Sequence, residues 1–382
     1  MLNGDYKITY FFAATPFTRL DRSFPITVLT HLTSPYQVEL FDAVSEQLDG
    51  QLRVVYLHSK SLEREWRLPV IHHSNVILDR DPSEIRQVTR WLTEPSLVVF
   101  NVYSDPIAKD LLRVRAASRH PWCFWGERPG FRGKGWLGRL YRRWRLAALH
   151  RTQTPIWCIG SFAIEQYCRE FGADRKYINL PYFSNLTAFF ANRKPDRRQN
   201  FGTRFLFSGS LIERKGVDLL ARAFVRLALE RSDISLRWLG AGPLRLQLES
   251  QCNPVSNRVT FAGFVDWSGL PTAYQQGDVL CVPSRYDGWG LVVPEGLAGG
   301  IPVIASNQTG SAIDLIRHRE NGWIIQANSE QALYNALREA CELDDKQFDG
   351  MAIAARASVK RHTLADGAQR FIAAAEQTET FR

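Results

Sequence analysis

Short apolar runs separated by polar stretches of helical period recur along most of this chain. In the second half the runs are RFLFSGS (204–210), ISLRWLGAGP (234–243), RVTFAGF (258–264), DVLCVPS (278–284), IPVIAS (301–306) and GWIIQ (322–326). Between the first two, VDLLARAFVRLALER (217–231) sets Leu219, Leu220, Ala223, Phe224, Leu227 and Ala228 on one helical face. Strands that alternate with helices in this way predict a parallel, doubly wound sheet. The first half repeats the theme in PITVLTHL (25–32), LRVVYLH (52–58), SLVVFNV (96–102), PWCFWGE (121–127) and PIWCIGS (155–161), with VELFDAVSEQL (38–48) as the first crossover helix. The polar, basic stretch 189–204 carries Pro195 and Gly202 and reads as a linker. LADGAQRFIAAAEQ (364–377) is an amphipathic helix that follows the second sheet. The expected division is a first domain over 1–190, a linker over 191–203, a second domain over 204–363, and a terminal helix over 364–382 that packs back on the first domain. Residues 1–24 precede the first clear strand and receive no assignment.

The length of 382 residues suits two such domains. A hydrophobic content of 45% and a charged content of 23% are those of a folded chain rather than a disordered one. The net charge of +9 changes the picture more, since it calls for an anionic partner: a phosphate ligand, a membrane surface or nucleic acid. The six cysteines form no CxxC pair, which argues against a zinc ribbon or redox motif, and they are expected to be reduced, buried thiols. No apolar run reaches the roughly 18 residues needed to span a bilayer. KITYFFAATPF (7–17) is too short and lacks a basic flank, so the expected location is cytoplasmic, peripheral on the inner face of a membrane.

Ligands of open parallel sheets bind outside the carboxyl ends of the strands. SGSLIERKG (208–216) lies at such a position. There Gly209 and Ser210 permit a close backbone approach, the next helix offers free N–H groups, and Arg214 and Lys215 add charge. Together these suit a diphosphate, although an ordinary turn with exposed basic residues gives the same pattern. The Walker spacing is absent. In SRYDGWGLVVPEGLAGGIPVIAS (284–306), Pro294 fits the first position of a helix, and Glu295 then lies in its first turn. Gly288, Trp289, Gly290 and Leu291 can present amides to one ligand, and the carboxylates of Asp287 and Glu295 can accept from sugar hydroxyls. Singly, Asp287 also reads as a turn former and Glu295 as a helix-start acid.

Taken in order, these segments strongly resemble the retaining glycosyltransferases of family 4, over about residues 203–330. The resemblance implies the GT-B fold, an α/β architecture of two Rossmann-like, doubly wound parallel-sheet domains facing a cleft. It makes 1–190 the acceptor side and 204–363 the nucleotide-sugar side. It implies a UDP- or GDP-linked sugar as donor substrate, no cofactor, and a lipid-linked saccharide or cell-surface polysaccharide as acceptor. Asp287 and Glu295 occupy the family's acid–x7–acid signature, so Glu295 would hold the nucleotide ribose and Asp287 would face the donor sugar. Lys215 would neutralise the leaving diphosphate, and backbone around Phe264 would meet the base. The first acid of the signature is usually Glu, and the family often has Arg where Ser210 stands. In place of the usual first-domain glycine pair the chain has THLTSPYQVELF, which makes Ser34 and Tyr36 acceptor-side candidates.

Three further features remain. Asp79 and Asp81 form a DxD, but Asp81 before Pro82 reads as a helix cap rather than a metal ligand, and no metal is expected. RGKGWLGRLYRRWRLAALHR (132–151) interleaves Arg132, Lys134, Arg139, Arg142, Arg143, Arg145 and Arg151 with Trp136, Leu137, Leu140, Tyr141 and Trp144, and contains no acid. It suits either an anionic membrane surface or a basic helix whose aromatics pack inward. No nucleic-acid recognition motif accompanies it. Trp125 and Glu127 end a first-half strand and are candidates for acceptor contact. The alternative to an enzyme is a sugar- or partner-binding protein of the same fold that has lost catalysis.

Overall fold

A computed structural model of the chain describes residues 25–59, 70–129, 135–191 and 202–379. Residues 1–24, KITYFFAATPF with them, most of the linker, and Arg132 and Lys134 lie outside these. The apolar runs become two parallel sheets. In the first, β1 (Ile26–Leu32), β2 (Leu52–His58), β3 (Ser74–Ile77), β4 (Leu97–Phe100), β5 (Trp122–Gly126), β6 (Ile156–Cys158) and β7 (Tyr177–Asn179) lie in the order β3-β2-β1-β4-β5-β6-β7. In the second, β8 (Arg204–Ser208), β9 (Ser235–Leu239), β10 (Val259–Gly263), β11 (Val279–Val282), β12 (Val303–Ser306) and β13 (Gly322–Ile325) lie in the order β10-β9-β8-β11-β12-β13. Strands such as Leu97–Phe100 and Val279–Val282 are buried at every residue, because helices cover both faces. The strand order reverses beside β1 and beside β8, and the crevice for a ligand opens at such a reversal.

The sequence pattern does not announce β3 and β7. Both are four residues or fewer at sheet edges, and their side chains are largely exposed or half-buried, so no apolar run marks them. The helix containing Glu295 runs Val292–Ala298, two residues earlier than Pro294 suggests. Pro294 still lies in the first turn, where its missing N–H breaks no intrahelical bond. The cysteines among the described residues are free, and most are buried.

The last helix, Leu364–Glu379, belongs to the first domain by packing. Ala368, Phe371, Ala374 and Ala375 enter the cluster of Phe41, Trp125, Trp157 and Phe183. Trp157 Nε1 donates to Thr378 Oγ1 at 3.0 Å. At Gly367 a Cβ would stand 2.6 Å from the Phe183 ring, so the helix approaches this closely only through a glycine. No helix among the described residues is long and apolar enough to cross a membrane.

Candidate active site

The loop after β8 is built to hold a cation in place. It runs through a turn of 3-10 helix, Glu213–Lys215, into the helix Val217–Glu230. Gly216 joins the two at φ 69°, and a Cβ there would lie 2.1 Å from the Pro283 carbonyl oxygen. Only glycine meets both demands. Arg285 fixes the loop from the other side. Its N–H donates to the Arg214 carbonyl at 2.8 Å, and its guanidinium grips Asp218 at 2.6 and 2.7 Å. Burial by itself would raise the Asp218 carboxyl, but the Arg285 hydrogen bonds and the charges of Arg285 and Arg222 together outweigh it and hold the group below its ordinary value. Sequence reasoning passed over Arg285, although it stands two residues before Asp287.

Lys215 Nζ reaches Asp287 Oδ2 at 2.5 Å. Arg214 donates to the Tyr286 carbonyl at 2.9 Å and lies 3.9 Å from Asp287 Oδ1. Asp287 itself is buried and fixed through its backbone, which donates to Gln308 O at 3.0 Å and accepts from Gly310 N at 3.2 Å. Ser210 is exposed beside Gly209, whose N–H donates to Leu239 O at 2.9 Å. The amides of Gly288, Trp289, Gly290 and Leu291 donate to no backbone acceptor among the described residues. Glu295, in the first turn of its helix, accepts from Tyr274 Oη at 2.9 Å. Burial pushes the Glu295 carboxyl up to about 7, against the Tyr274 hydrogen bond and the Lys215 charge, and Glu39 adds to the rise. Phe264 follows β10 with its ring exposed. Lys215 and two acids of a segment that begins 72 positions further on thus bring a cation and two carboxylates together at the reversal point beside β8.

The first domain closes against this loop. At Gly288 a Cβ would fall 1.9 Å from Glu127 Oε2, so Glu127 lies directly on the Gly288 backbone. Tyr167 Oη donates to the Glu127 carbonyl at 2.8 Å. Arg128 donates to Gln308 Oε1 and O at 2.8 and 3.0 Å and stacks on Tyr286 and Phe162. Ser161 N donates to Asp314 Oδ2 at 3.0 Å, and burial raises that carboxyl. The contacts that cross between the domains join residues 150 and more positions apart, so local pattern carries no sign of them.

One aromatic expectation is corrected. Trp125 has no exposed surface, and its Nε1 donates to Leu180 O at 2.8 Å, so it is core rather than acceptor contact. Trp289 offers its amide to the site, but its ring is buried in the first domain's cluster, against Gly160 and stacked on His362 at 5.9 Å. Ser34 is buried just ahead of the helix Pro35–Gln47, and Tyr36 packs on Tyr182 at 5.1 Å. Beside them Asn101 Oδ1 accepts from Gln37 Nε2 at 2.7 Å and Thr30 Oγ1 at 3.0 Å, a polar network that the sequence reading missed. Asp79 accepts from Ser59 N at 2.7 Å, tying the end of β2 to the end of β3, and Asp81 accepts from Ser83 N at 3.0 Å as a local cap, so the two DxD acids serve separate partners.

Residues 190–375 match the family described as glycosyl transferases group 1. An uncharacterized glycosyltransferase of Methanocaldococcus jannaschii is 35% identical over 136 residues, which is 35% of this chain and 34% of that protein. A GDP-mannose-dependent alpha-(1-6)-phosphatidylinositol monomannoside mannosyltransferase of Mycolicibacterium smegmatis is 23% identical over 58% of this chain and 62% of its own length. The matches therefore span about a third to under two thirds of these relatives. Among solved structures, Anabaena HepE in complex with UDP superposes with a TM-score of 0.71 at 17% identity, over 93% of this chain and 100% of that one. Sucrose-phosphate synthase from Thermosynechococcus elongatus gives 0.72 at 18% identity, over 93% and 98%. The chain has the GT-B fold, and its residues 190–375 match the family of glycosyl transferases group 1.

Proposed function

We propose that the chain is a retaining glycosyltransferase that moves a hexosyl group from a UDP- or GDP-linked donor to a lipid-linked saccharide or cell-surface polysaccharide. The observation that carries the reading is the grouping of Lys215, Asp287 and Glu295 near the amides of Gly288–Leu291, which donate to no backbone acceptor among the described residues. Lys215 and Arg214 neutralise the leaving diphosphate, Glu295 accepts from the ribose hydroxyls, and Asp287 with the neighbouring amides holds the sugar. The acceptor attacks from the face on which the diphosphate departs, and the departing phosphate oxygen takes the acceptor proton. That route needs no dedicated base and no metal. Contacts such as Arg128 with Gln308 hold the domains together and keep water from the donor.

Glu295 supplies the test. A carboxyl pushed up to about 7 is protonated below that pH and charged above it. Only the charged form accepts from two hydroxyls at once, so nucleoside diphosphate binding is expected to tighten as pH rises through 7. Glu295→Gln is expected to weaken binding and flatten the profile, as read by calorimetry at several pH values. Parent-like binding and pH dependence in the variant would remove Glu295 from the nucleotide site.

The acceptor side carries a feature that favours a lipid surface. On the helix Gly135–Arg145, Trp136 and Trp144 are 65% and 77% exposed, and Leu137, Leu140 and Tyr141 are exposed with them. Arg139, Arg143 and Arg145 are exposed on the same helix, whereas Arg142 is engaged by Glu170 at 2.8 Å. Aromatics among cations suit an anionic membrane, and each basic side chain near such a surface is worth about 1 kcal/mol. Replacing Arg139, Arg143 and Arg145 with Gln is expected to cost about 3 kcal/mol, more than a hundredfold in affinity for anionic vesicles by sedimentation. Unchanged vesicle binding would exclude the helix as the membrane contact.

A further inference from the structure

His31 near the end of β1, His58 at the end of β2 and Asp105 ahead of the helix Pro106–Ala117 converge at the carboxyl edge of the first sheet. One ligand atom from each lies within 4.8 Å of the other two. We propose that these three side chains form a binding site for a divalent transition metal of the zinc class, separate from the sugar-transfer residues.

The Asp105 carboxylate is already oriented for the task. Its Oδ1 accepts from Ile107 N at 2.8 Å and Ala108 N at 3.4 Å, which leaves Oδ2 to face His58 Nε2 at 3.1 Å. Such fixing of a ligand by outer hydrogen bonds is what metal sites use to hold geometry. Zinc bonds of about 2.0–2.1 Å in a tetrahedron put donor atoms roughly 3.3 Å apart. The His58–Asp105 spacing is already within a few tenths of that. The His31 ring meets the His58 ring edge-on at 5.0 Å, and His31 is exposed, so a small side-chain rotation brings its nitrogen to the same point. Two imidazoles and one carboxylate select zinc-like metals over magnesium or calcium, which prefer sets made of oxygen alone. Three protein ligands leave a fourth position for water or an anionic oxygen.

The full chain, stripped of metal by a chelator and dialysed, is titrated with zinc chloride by calorimetry, and with cobalt(II) by visible absorption. One equivalent of each is expected to bind, with cobalt giving the bands of a low-coordinate nitrogen–oxygen site. His31→Ala and His58→Ala are each expected to weaken zinc binding by more than about tenfold. His72→Ala, an exposed histidine outside the cluster, is expected to leave it unchanged. Asp105 is not substituted, because it caps its helix. Absence of stoichiometric binding by the parent, or binding that survives both histidine substitutions, overturns the proposal. The readout is metal affinity, so failure here leaves the sugar-transfer reading standing, and the reverse holds too.

Discussion

Lys215→Ala is expected to lower donor turnover by on the order of a hundredfold or more while leaving the fold intact. The leaving diphosphate gains negative charge as the glycosidic bond breaks, and a fixed cation nearby stabilises that state more than the ground state. Lys215 is fixed from two directions, by Asp287 at 2.5 Å and by the turn that Arg285 ties to Asp218. Arg214 stands 3.9 Å from the same carboxylate and is half-occupied with the Tyr286 carbonyl, so it replaces the lost charge only in part. The loss should appear in kcat more than in KM, because the diphosphate gains its additional charge only as the glycosidic bond breaks. Nucleoside diphosphate release by a normally folded variant at near-parent rate would take Lys215 out of the reaction.

Trp289→Ala is expected to destabilise the chain by about 3–5 kcal/mol, the usual range for removing a buried tryptophan. The residue lies on a loop of the second domain, yet 2% of it is exposed and its ring fills a cavity among residues of the first domain and the last helix. Its truncation leaves a void at the domain boundary and frees the donor loop it anchors. The midpoint of thermal unfolding should fall by roughly 10 °C. The indole Nε1 is buried with no hydrogen-bond partner among the described residues, so Trp289→Phe gives up no hydrogen bond to them and should cost much less than Ala. Equal midpoints for parent and Ala variant would show that the ring does not hold the domains together.

The buried strands were legible because they are apolar on both faces. The run DVLCVPS lands on Val279–Val282 and RFLFSGS on Arg204–Ser208. The edges of the first sheet were not, since β3 exposes two of its four residues and β7 fully buries none of its own. In the site, the acids and the lysine were readable from their motifs, but their partners were not. Lys215 meets Asp287 from 72 positions away, and Arg128 meets Gln308 from 180. Trp125 and Trp289 show the limit most clearly. An aromatic beside a ligand motif has the same local signature whether its ring faces the ligand or the core, and only the packing of the two domains separates these cases. Arg142 is similar: within the basic helix it looks like its neighbours, and Glu170 on another helix singles it out.

The central claim is that this chain breaks the bond between a nucleoside diphosphate and its sugar and returns the sugar with the same anomeric configuration. Proton NMR of the anomeric region, followed from the first minutes of incubation with UDP-glucose or GDP-mannose, reads that directly. The account predicts nucleoside diphosphate release with the α-anomer as the first-formed sugar product, unaffected by EDTA. A first-formed β-anomer, or no turnover of either donor nor of any other nucleotide sugar, would contradict it.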